Sequence, residues 1–344
     1  MAKLPNEQGI ALIIVLSVIS IFMILMTEII TLARLHQATT NIAANNLQAY
    51  YSALSGIKLD SLFITLHGKI KNEPQIKQVL GKQTALLDLI WQIGFLHPLP
   101  ILEEEIVSHE PSKLIGNIKV TNEDVTSHIN LNLLGSSEEK EREYVKYLLK
   151  NIFKSQGETD FYKKYQNQMD SIINNIADWI DKDTRNSSGG NEDHLYNNLP
   201  YKVKNDYLDT LEELHLIAGM TDEFYSFFEP SLTIFGEGKM NINTASPLIL
   251  KSISVSFNDN DIVKIIGARP FAEVKDFNDF VVNSLLKTAD FNKNPEVLLT
   301  TGGDIFKIES VAQVGNATKR IVMVMDRTLL DSKQRPLIYY FHIH

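Results

Sequence analysis

The residues whose types and spacing could do chemistry are carboxylates within one short segment. Asp181 and Asp183 alternate where a helix is expected to end, and Glu192 and Asp193 follow after a turn-forming stretch. Serine and glycine in that stretch would let the chain fold back and bring the two pairs of carboxylates together. Calcium binds about six to eight oxygen ligands, often carboxylates and backbone carbonyls of a loop. The segment therefore predicts a calcium site formed by Asp181, Asp183, Glu192 and Asp193.

A simpler interpretation of the same segment stays open. Its spacing is not that of an EF-hand, because Arg185 stands where a third ligand would be needed. The alternative is a solvated acidic loop in which Asp178 or Asp181 caps the end of the helix. Trp179, between these two carboxylates, is predicted to lie in the core.

No other pattern in the sequence is typical of a catalytic site. The chain has no cysteine, which excludes thiol catalysis, disulfide scaffolds and thiolate metal sites. Its nine histidines are scattered without metal-ligand spacing. The sequence contains no His-Glu-x-x-His, no phosphate-binding glycine loop and no Gly-x-Ser-x-Gly. We therefore predict that the protein is not an enzyme.

Length and charge set the next limits. The chain has 344 residues, which is roughly two domains at typical domain sizes. It carries 33 Lys and Arg against 42 Asp and Glu, for a formal net charge of -9. A broad electrostatic contact with nucleic acid needs a basic surface, so we predict no nucleic-acid partner.

The amino-terminal region contains a long apolar segment. Residues 10–27 carry no charged side chain, and a helix of that length spans roughly 27 Å, close to the hydrocarbon thickness of a bilayer. A fully buried core helix is the alternative, but the segment is apolar on every face. We predict a single membrane span over residues 10–33, in which Glu28 is the one ionisable residue.

The residues before this span distinguish three kinds of targeting segment. Only Lys3 and Glu7 are charged there, and no Ala-x-Ala follows the apolar run, which argues against a cleaved secretory signal. A plain signal anchor stays open. The junction between Gly9 and Ile10 resembles the class III signal of type IV pilins and type II secretion pseudopilins. That resemblance implies a leader peptide over residues 1–9, which a prepilin peptidase removes while the apolar helix is retained.

Helical periodicity continues beyond the membrane span. After Arg34, many apolar residues are separated by three or four positions, as on one face of a helix. No proline occurs between Gln8 and Glu73, and Gly68 offers a stop. We predict a continuous helix from Ile10 to about Leu66, roughly 85 Å long.

The rest of the chain predicts a small sheet interrupted by helices. One alternating hairpin is predicted over Lys113–Val120 and His128–Leu133, and a second over Ile305–Ala312 and Lys319–Met325. We expect all four strands to form one sheet against the long helix. The predicted head is therefore discontinuous, with a first part at 34–133, closing strands at 304–344 and an inserted helical domain at 134–303.

Local signals place helices within the insertion. A helix followed by a turn is predicted over Asp206–Met220, where Thr210 and Glu213 have capping-box spacing and Gly219 supplies a stop. A second helix is predicted to begin at Pro247, after Ser246 as its N-cap.

The segment from Asn243 to Pro247, followed by a helix, is similar to helix-hairpin-helix modules that bind DNA. Those modules use a Gly-x-Gly turn, whereas this chain offers only Gly267 in an acidic protein. The whole chain resembles instead the minor pseudopilin K family of the general secretion pathway. The stretches that carry the resemblance are, in order, Gly9–Ile10, Tyr50–Gly56, His128–Asn132, Ala177–Asp183, Leu208–Leu214, Asn241–Pro247 and Ser310–Arg327.

The resemblance implies an α+β, pilin-like fold: a long N-terminal helix packed on a small antiparallel sheet, with an inserted all-helical domain similar to SAM or helix-hairpin-helix modules. It implies a single-pass protein of the bacterial inner membrane with a periplasmic head. Its partners would be minor pseudopilins I and J at the pseudopilus tip, other pseudopilins, the inner-membrane platform and prepilin peptidase. It also strengthens the calcium prediction.

Most pilins have Glu at the fifth mature residue, whereas this chain has Ile14. The K family shares that departure, which suits a subunit with no neighbour above it. Two alternatives stay open: a membrane-anchored helix-hairpin-helix DNA-binding protein, and a minor pilin of a type IV pilus.

Overall fold

The computed structural model describes residues 7–73, 75, 79, 95–97, 117–186, 189–287, 297–330 and 335–344. Much of the strand predicted from Lys113, and most of the predicted leader, lie outside these residues. The described helices are α1 (Glu7–Asn72), α2 (Glu139–Lys154), α3 (Asp160–Tyr165), α4 (Met169–Ile180), α5 (Asp222–Phe228), α6 (Pro247–Ile253), α7 (Asp259–Ala268) and α8 (Val274–Asn283). The described strands are β1 (Phe95–His97), β2 (Asn117–Asp124), β3 (Ile129–Asn130), β4 (Leu232–Thr233), β5 (Met240–Asn241), β6 (Leu299–Thr300), β7 (Ile305–Val314), β8 (Ala317–Leu330) and β9 (Pro336–Ile343).

The long helix α1 confirms the predicted spine and extends a few residues beyond it at both ends. Its first half is exposed on all sides, and within the described residues it is the one helix long and apolar enough to cross a membrane. Its second half buries a stripe against the sheet that includes Ala53, Ile57 and Ile64. The change from all-round apolar to one-sided burial follows the change in the sequence pattern.

The sheet that covers the spine has the order β1-β2-β7-β8-β9, with every neighbouring pair antiparallel. The β7–β8 hairpin is confirmed, and its turn contains Gly315 at φ +55°. Side chains from β2, β7 and β8 alternate toward α1, and they include Ile118, Ile308 and Met323. The edge strands β1 and β9 did not emerge from the sequence pattern.

The predicted first hairpin is wrong. Strand β2 pairs with β7, and the chain then enters a short 3-10 helix, Val125–Ser127. The following β3 pairs in parallel with β4 of the insertion. The alternation in this region has another cause: Leu131 is buried in the helical core, while Asn130 donates to the Gly236 carbonyl at 2.6 Å.

The segment between β2 and β7 carries α2 to α8 and has its own hydrophobic core. Ile129 and Leu131 already belong to that core, so its packing begins before residue 134. The helix predicted within Asp206–Met220 forms as a short 3-10 helix, Leu211–Leu216, rather than as an α-helix. Its predicted capping box between Thr210 and Glu213 is confirmed.

The N-cap predicted for α6 is also confirmed, since Ser246 Oγ accepts from the Ile249 amide at 3.3 Å. By contrast, Gly267 lies in the last turn of α7 rather than in a hairpin turn. The glycine turn that a DNA-binding helix-hairpin-helix needs is therefore not formed at this position.

A buried carboxylate connects the insertion to the sheet. Asp124, at the end of β2, accepts hydrogen bonds from the Asn241 side chain at 2.6 Å and from the Thr244 hydroxyl at 2.8 Å. Next to it, the Thr126 hydroxyl accepts from the amides of Asp304 and Ile305 at 3.0 and 3.2 Å. These bonds join the points at which the chain leaves and re-enters the sheet.

Candidate metal centre

The acidic segment begins at the end of α4. This helix packs its apolar face into the insertion core and ends at Ile180, and Asp181 is its C-cap. Asp178 is 4% exposed and Asp181 is half-buried. The two carboxylates are three positions apart, which places them on the same side of a helical turn.

The chain then folds back as the sequence predicted. Arg185 and Asn191 form an isolated antiparallel bridge, and the turn between them contains Gly189 and Gly190 at φ +95° and +104°. Such positive φ angles favour glycine. Asn191 then caps the 3-10 helix Glu192–Tyr196, and Glu192 at its start points into the protein.

Three carboxylates converge as a result. One oxygen from each of Asp178, Asp181 and Glu192 lies within 4.8 Å of the other two. Glu192 is only 2% exposed, and within the part of the chain that the structure describes neither of its carboxylate oxygens accepts a hydrogen bond of good geometry. A buried carboxylate without such bonds is costly, so the site has an unmet need for a cation or a proton.

Asn205 adds a further oxygen beside this cluster. Its side-chain nitrogen donates to the Asp183 carbonyl, and its buried Oδ1 has no hydrogen-bond partner among the described residues. The residue is held at φ +50°, a left-handed conformation that asparagine tolerates better than most residues. Its side-chain amide lies near Glu192 and offsets part of the rise in the pKa of that carboxyl. It forms no hydrogen bond of good geometry to the carboxylate.

Burial and mutual repulsion oppose ionisation of the cluster. Burial, followed by the charges of Asp181, Asp178 and Asp183, raises the pKa of Glu192 from 4.5 to about 7. Burial, followed by the charge of Asp183, also raises the pKa of Asp181. A bound divalent cation would reverse both effects, because it favours the ionised carboxylates.

Of the four predicted ligands, two therefore lie in the cluster and two lie outside it. Asp181 and Glu192 belong to the cluster. Asp183 is beside it, and its Oδ1 accepts from the Arg185 amide at 2.7 Å. Asp193 points elsewhere, with a carboxylate oxygen 3.8 Å from Lys202 Nζ.

The sequence prediction did not include Asp178 or Asn205 as ligands. The three-residue spacing from Asp178 to Asp181 was a usable signal for the first. No local signal marks Asn205, which reaches the site from a later loop. Trp179 lies in the core as predicted, 3% exposed, with its ring centroid 5.5 Å from that of Tyr196.

The residues predicted for processing and assembly lie on α1. The backbones of Gly9 and Ile10 belong to the helix. Ile14 is 58% exposed, and Glu28 is exposed on the same apolar half. This half of α1 is a candidate membrane anchor.

Comparison with known proteins shows which family this chain resembles. Residues 127–237, which include the acidic cluster, match the family described as type II secretion system (T2SS), protein K. The chain is 23% identical over 346 residues to the type II secretion system protein K of Aeromonas hydrophila, and the match covers 95% of each chain.

The fold is similar to a chain in the crystal structure of the GspK-GspI-GspJ complex from the type 2 secretion system of enterotoxigenic Escherichia coli. The TM-score is 0.63 at 19% identity, and the match covers 89% of this chain and 99% of the other. At that identity the likeness shows a shared fold. The family match over residues 127–237, the end-to-end relative and the fold agree in one respect: each is a similarity of this chain to type II secretion system protein K.

Proposed function

We propose that this protein is the minor pseudopilin at the tip of a type II secretion pseudopilus, where it initiates assembly and caps the filament during protein export. The observation that carries the proposal is the large helical body inserted between β2 and β7 of a pilin-like head. Such a body would occupy the space into which a further subunit would have to stack. It makes the subunit suitable for an end position and unsuitable for the repeating shaft.

The proposal includes a membrane topology. Residues 10–33 cross the inner membrane once, and the head lies in the periplasm. Prepilin peptidase removes residues 1–9 by cutting between Gly9 and Ile10. Ile14 supports a tip position, because a carboxylate there would need an amine from a neighbouring subunit, and a buried charge without its partner is strongly destabilising.

The processing step has a direct test. Gly9→Ala should block removal of the leader, which mass spectrometry of the full chain recovered from membranes would detect as retained mass. Gly68→Ala, a change of the same kind on the same helix, should leave processing intact. Normal cleavage of Gly9→Ala would contradict this part of the proposal.

We propose minor pseudopilins I and J as partners, because the structurally similar Escherichia coli chain is from a GspK-GspI-GspJ complex. The test is affinity purification of the full chain from detergent-solubilised membranes that also contain the I- and J-type pseudopilins of its own system. We expect both to co-purify in fixed ratio. Recovery of major pseudopilin without I and J would contradict the tip position.

We also propose that the acidic cluster binds calcium. Asp178, Asp181 and Glu192 would supply carboxylate oxygens, and Asn205 Oδ1 a neutral one, which matches the oxygen preference of the ion. The ion would neutralise the repulsion among the carboxylates. It would also link the end of α4 to the returning loop and so stabilise the insertion.

Thermal unfolding of the full chain with calcium or with a chelator tests the site. Calcium at about 100 times its Kd should add about 2.7 kcal/mol of stability. Glu192→Gln should abolish most of the gain, whereas Asp193→Asn, which alters a carboxylate outside the cluster, should retain it. Equal melting temperatures with calcium and with chelator would refute the site.

A further inference from the structure

The polar residues of the apolar half of α1 all lie on one face. Successive residues of an α-helix are rotated by about 100° around its axis, so their angular positions follow from the sequence. Between residues 11 and 33, every polar side chain falls within a sector of about 100°. The members of this polar face are Ser17, Ser20, Thr27, Glu28 and Thr31.

Three of the four hydroxyl groups on this face donate their protons to carbonyls of their own helix. Ser20 Oγ donates to the Leu16 carbonyl, and Thr27 Oγ1 donates to the Met23 carbonyl, each at 2.8 Å. Thr31 Oγ1 donates to the Thr27 carbonyl, also at 2.8 Å. These three side chains still offer oxygen lone pairs, so they can accept further hydrogen bonds from a partner.

Glu28 gives the same face a negative charge. The residues one helical turn away from it, in both directions, are Ile24, Leu25, Thr31 and Leu32, so no neighbour on the helix supplies a cation. An ionisable side chain in a membrane helix is costly and faces a partner or a water-filled space. The face is therefore complementary to a group that both donates hydrogen bonds and carries a positive charge.

We propose that the polar face of α1 binds a second, parallel membrane helix of the same assembly, whose arginine or lysine side chain pairs with Glu28. The inference rests on the proposed membrane function and adds a residue-level contact to it. Hydroxyl oxygens of Ser20, Thr27 and Thr31 accept further bonds from that helix. The lipid contacts the remaining, wholly apolar circumference.

The depth of Glu28 favours a basic side chain as its partner. The uncharged segment before it spans roughly 27 Å, so Glu28 lies near the periplasmic end of the span. Arginine and lysine reach that level readily, because their long side chains extend to the membrane interface. This chain itself places Arg34 shortly after its own apolar span.

Disulfide cross-linking tests the contact in the full chain, since the wild-type sequence contains no cysteine. Single cysteines are introduced at Ser20 and Thr31 on the polar face, and at Phe22 and Ile29 on the opposite face. Each variant is co-expressed in its membrane with I- and J-type pseudopilins that carry single cysteines along their own apolar helices. Disulfides form on oxidation only where the two backbones approach closely.

We expect adducts from the polar face and few from the opposite face. Glu28→Gln should lower the polar-face adducts about three- to tenfold, the effect of losing one interhelical polar contact. A matched control, Ile30→Gln, adds an amide away from the polar face and should leave them unchanged. Exchange of charges, with Glu28→Lys and Glu in place of the partner's basic residue, should restore them.

Two results would overturn the inference: equal adducts from both faces, or adducts insensitive to Glu28→Gln. Co-purification of I and J and carbonate-resistant membrane association are measured on the same samples. If both persist while the face preference is absent, only this inference fails. If both are lost in the wild-type sequence, the proposed function fails with it.

Discussion

The contact between spine and sheet depends on the absence of a side chain at Gly56. A Cβ at this position would lie 2.8 Å from Val120 Cγ2 and even closer to Ser310 Oγ. Both neighbours are fully buried in the sheet, so neither has room to retreat. Gly56→Ala should therefore push α1 away from β2 and β7.

The expected magnitude combines two opposing effects. Alanine is better than glycine in a helix by about 1 kcal/mol. Overpacking a well-packed core costs about 1–3 kcal/mol, and the displaced helix also loses contacts along its buried stripe. We expect a net loss of about 1–2 kcal/mol. Gly68→Ala on the same helix is the matched control, because the atom nearest to its Cβ is Arg327 Cδ at 3.2 Å, a much milder contact than those at Gly56.

The assay is thermal unfolding of the full chain in detergent, followed by circular dichroism. Gly56→Ala should lower the melting temperature and Gly68→Ala should leave it equal or higher. Adding Ser310→Ala to Gly56→Ala removes the closest of the clashing atoms and should recover part of the loss. If the two glycine variants behave alike, or Ser310→Ala gives no recovery, the close approach of spine and sheet is wrong.

Three further predictions concern buried carboxylates. Burial raises the pKa of Asp60 from 3.8 to about 6, so the free energy of unfolding falls as pH rises through that interval. Asp60→Asn should therefore raise the melting temperature at pH 8 but not at pH 4. Asp279→Asn, which changes an exposed carboxylate, should leave the melting temperature unchanged at both pH values. Gly303→Ala should destabilise the insertion, measured by limited proteolysis, because its Cβ would overlap the Asp124 carboxylate. Glu192 has its pKa raised to about 7, so calcium must displace a proton below that pH, and the thermal gain from calcium should increase as pH rises toward neutrality.

Sequence patterns predicted correctly the elements that are stabilised by residues close to each other in the chain. The spine was predictable because proline-free helical periodicity continues from the membrane span into the head. The β7–β8 hairpin was predictable because its turn residues separate two alternating runs that pair with each other. The capping residues Ser246 and Thr210 were predictable because their partners are only three residues away.

The predictions are wrong where side chains form hydrogen bonds to residues far away in the chain. The alternation near Asn130 is typical of a strand, but its asparagine side chains bind loops about a hundred residues further along the chain. The helix predicted over Asp206–Met220 is limited by Asn132, which bonds to both the amide and the carbonyl of Leu208. Long-range hydrogen bonds outweigh local propensity at both places.

The sequence by itself determined the spine, the closing hairpin, the family resemblance and the acidic segment with Asp181 and Glu192. Only the tertiary structure decided that Asp178 completes the cluster, that Asn205 adds an oxygen and that Asp193 turns toward Lys202. A metal site requires oxygens to converge in space, and convergence depends on how the loop closes and which side chains are buried. Sequence spacing limits which residues could be ligands, but burial and packing determine which of them lie close enough together to bind an ion.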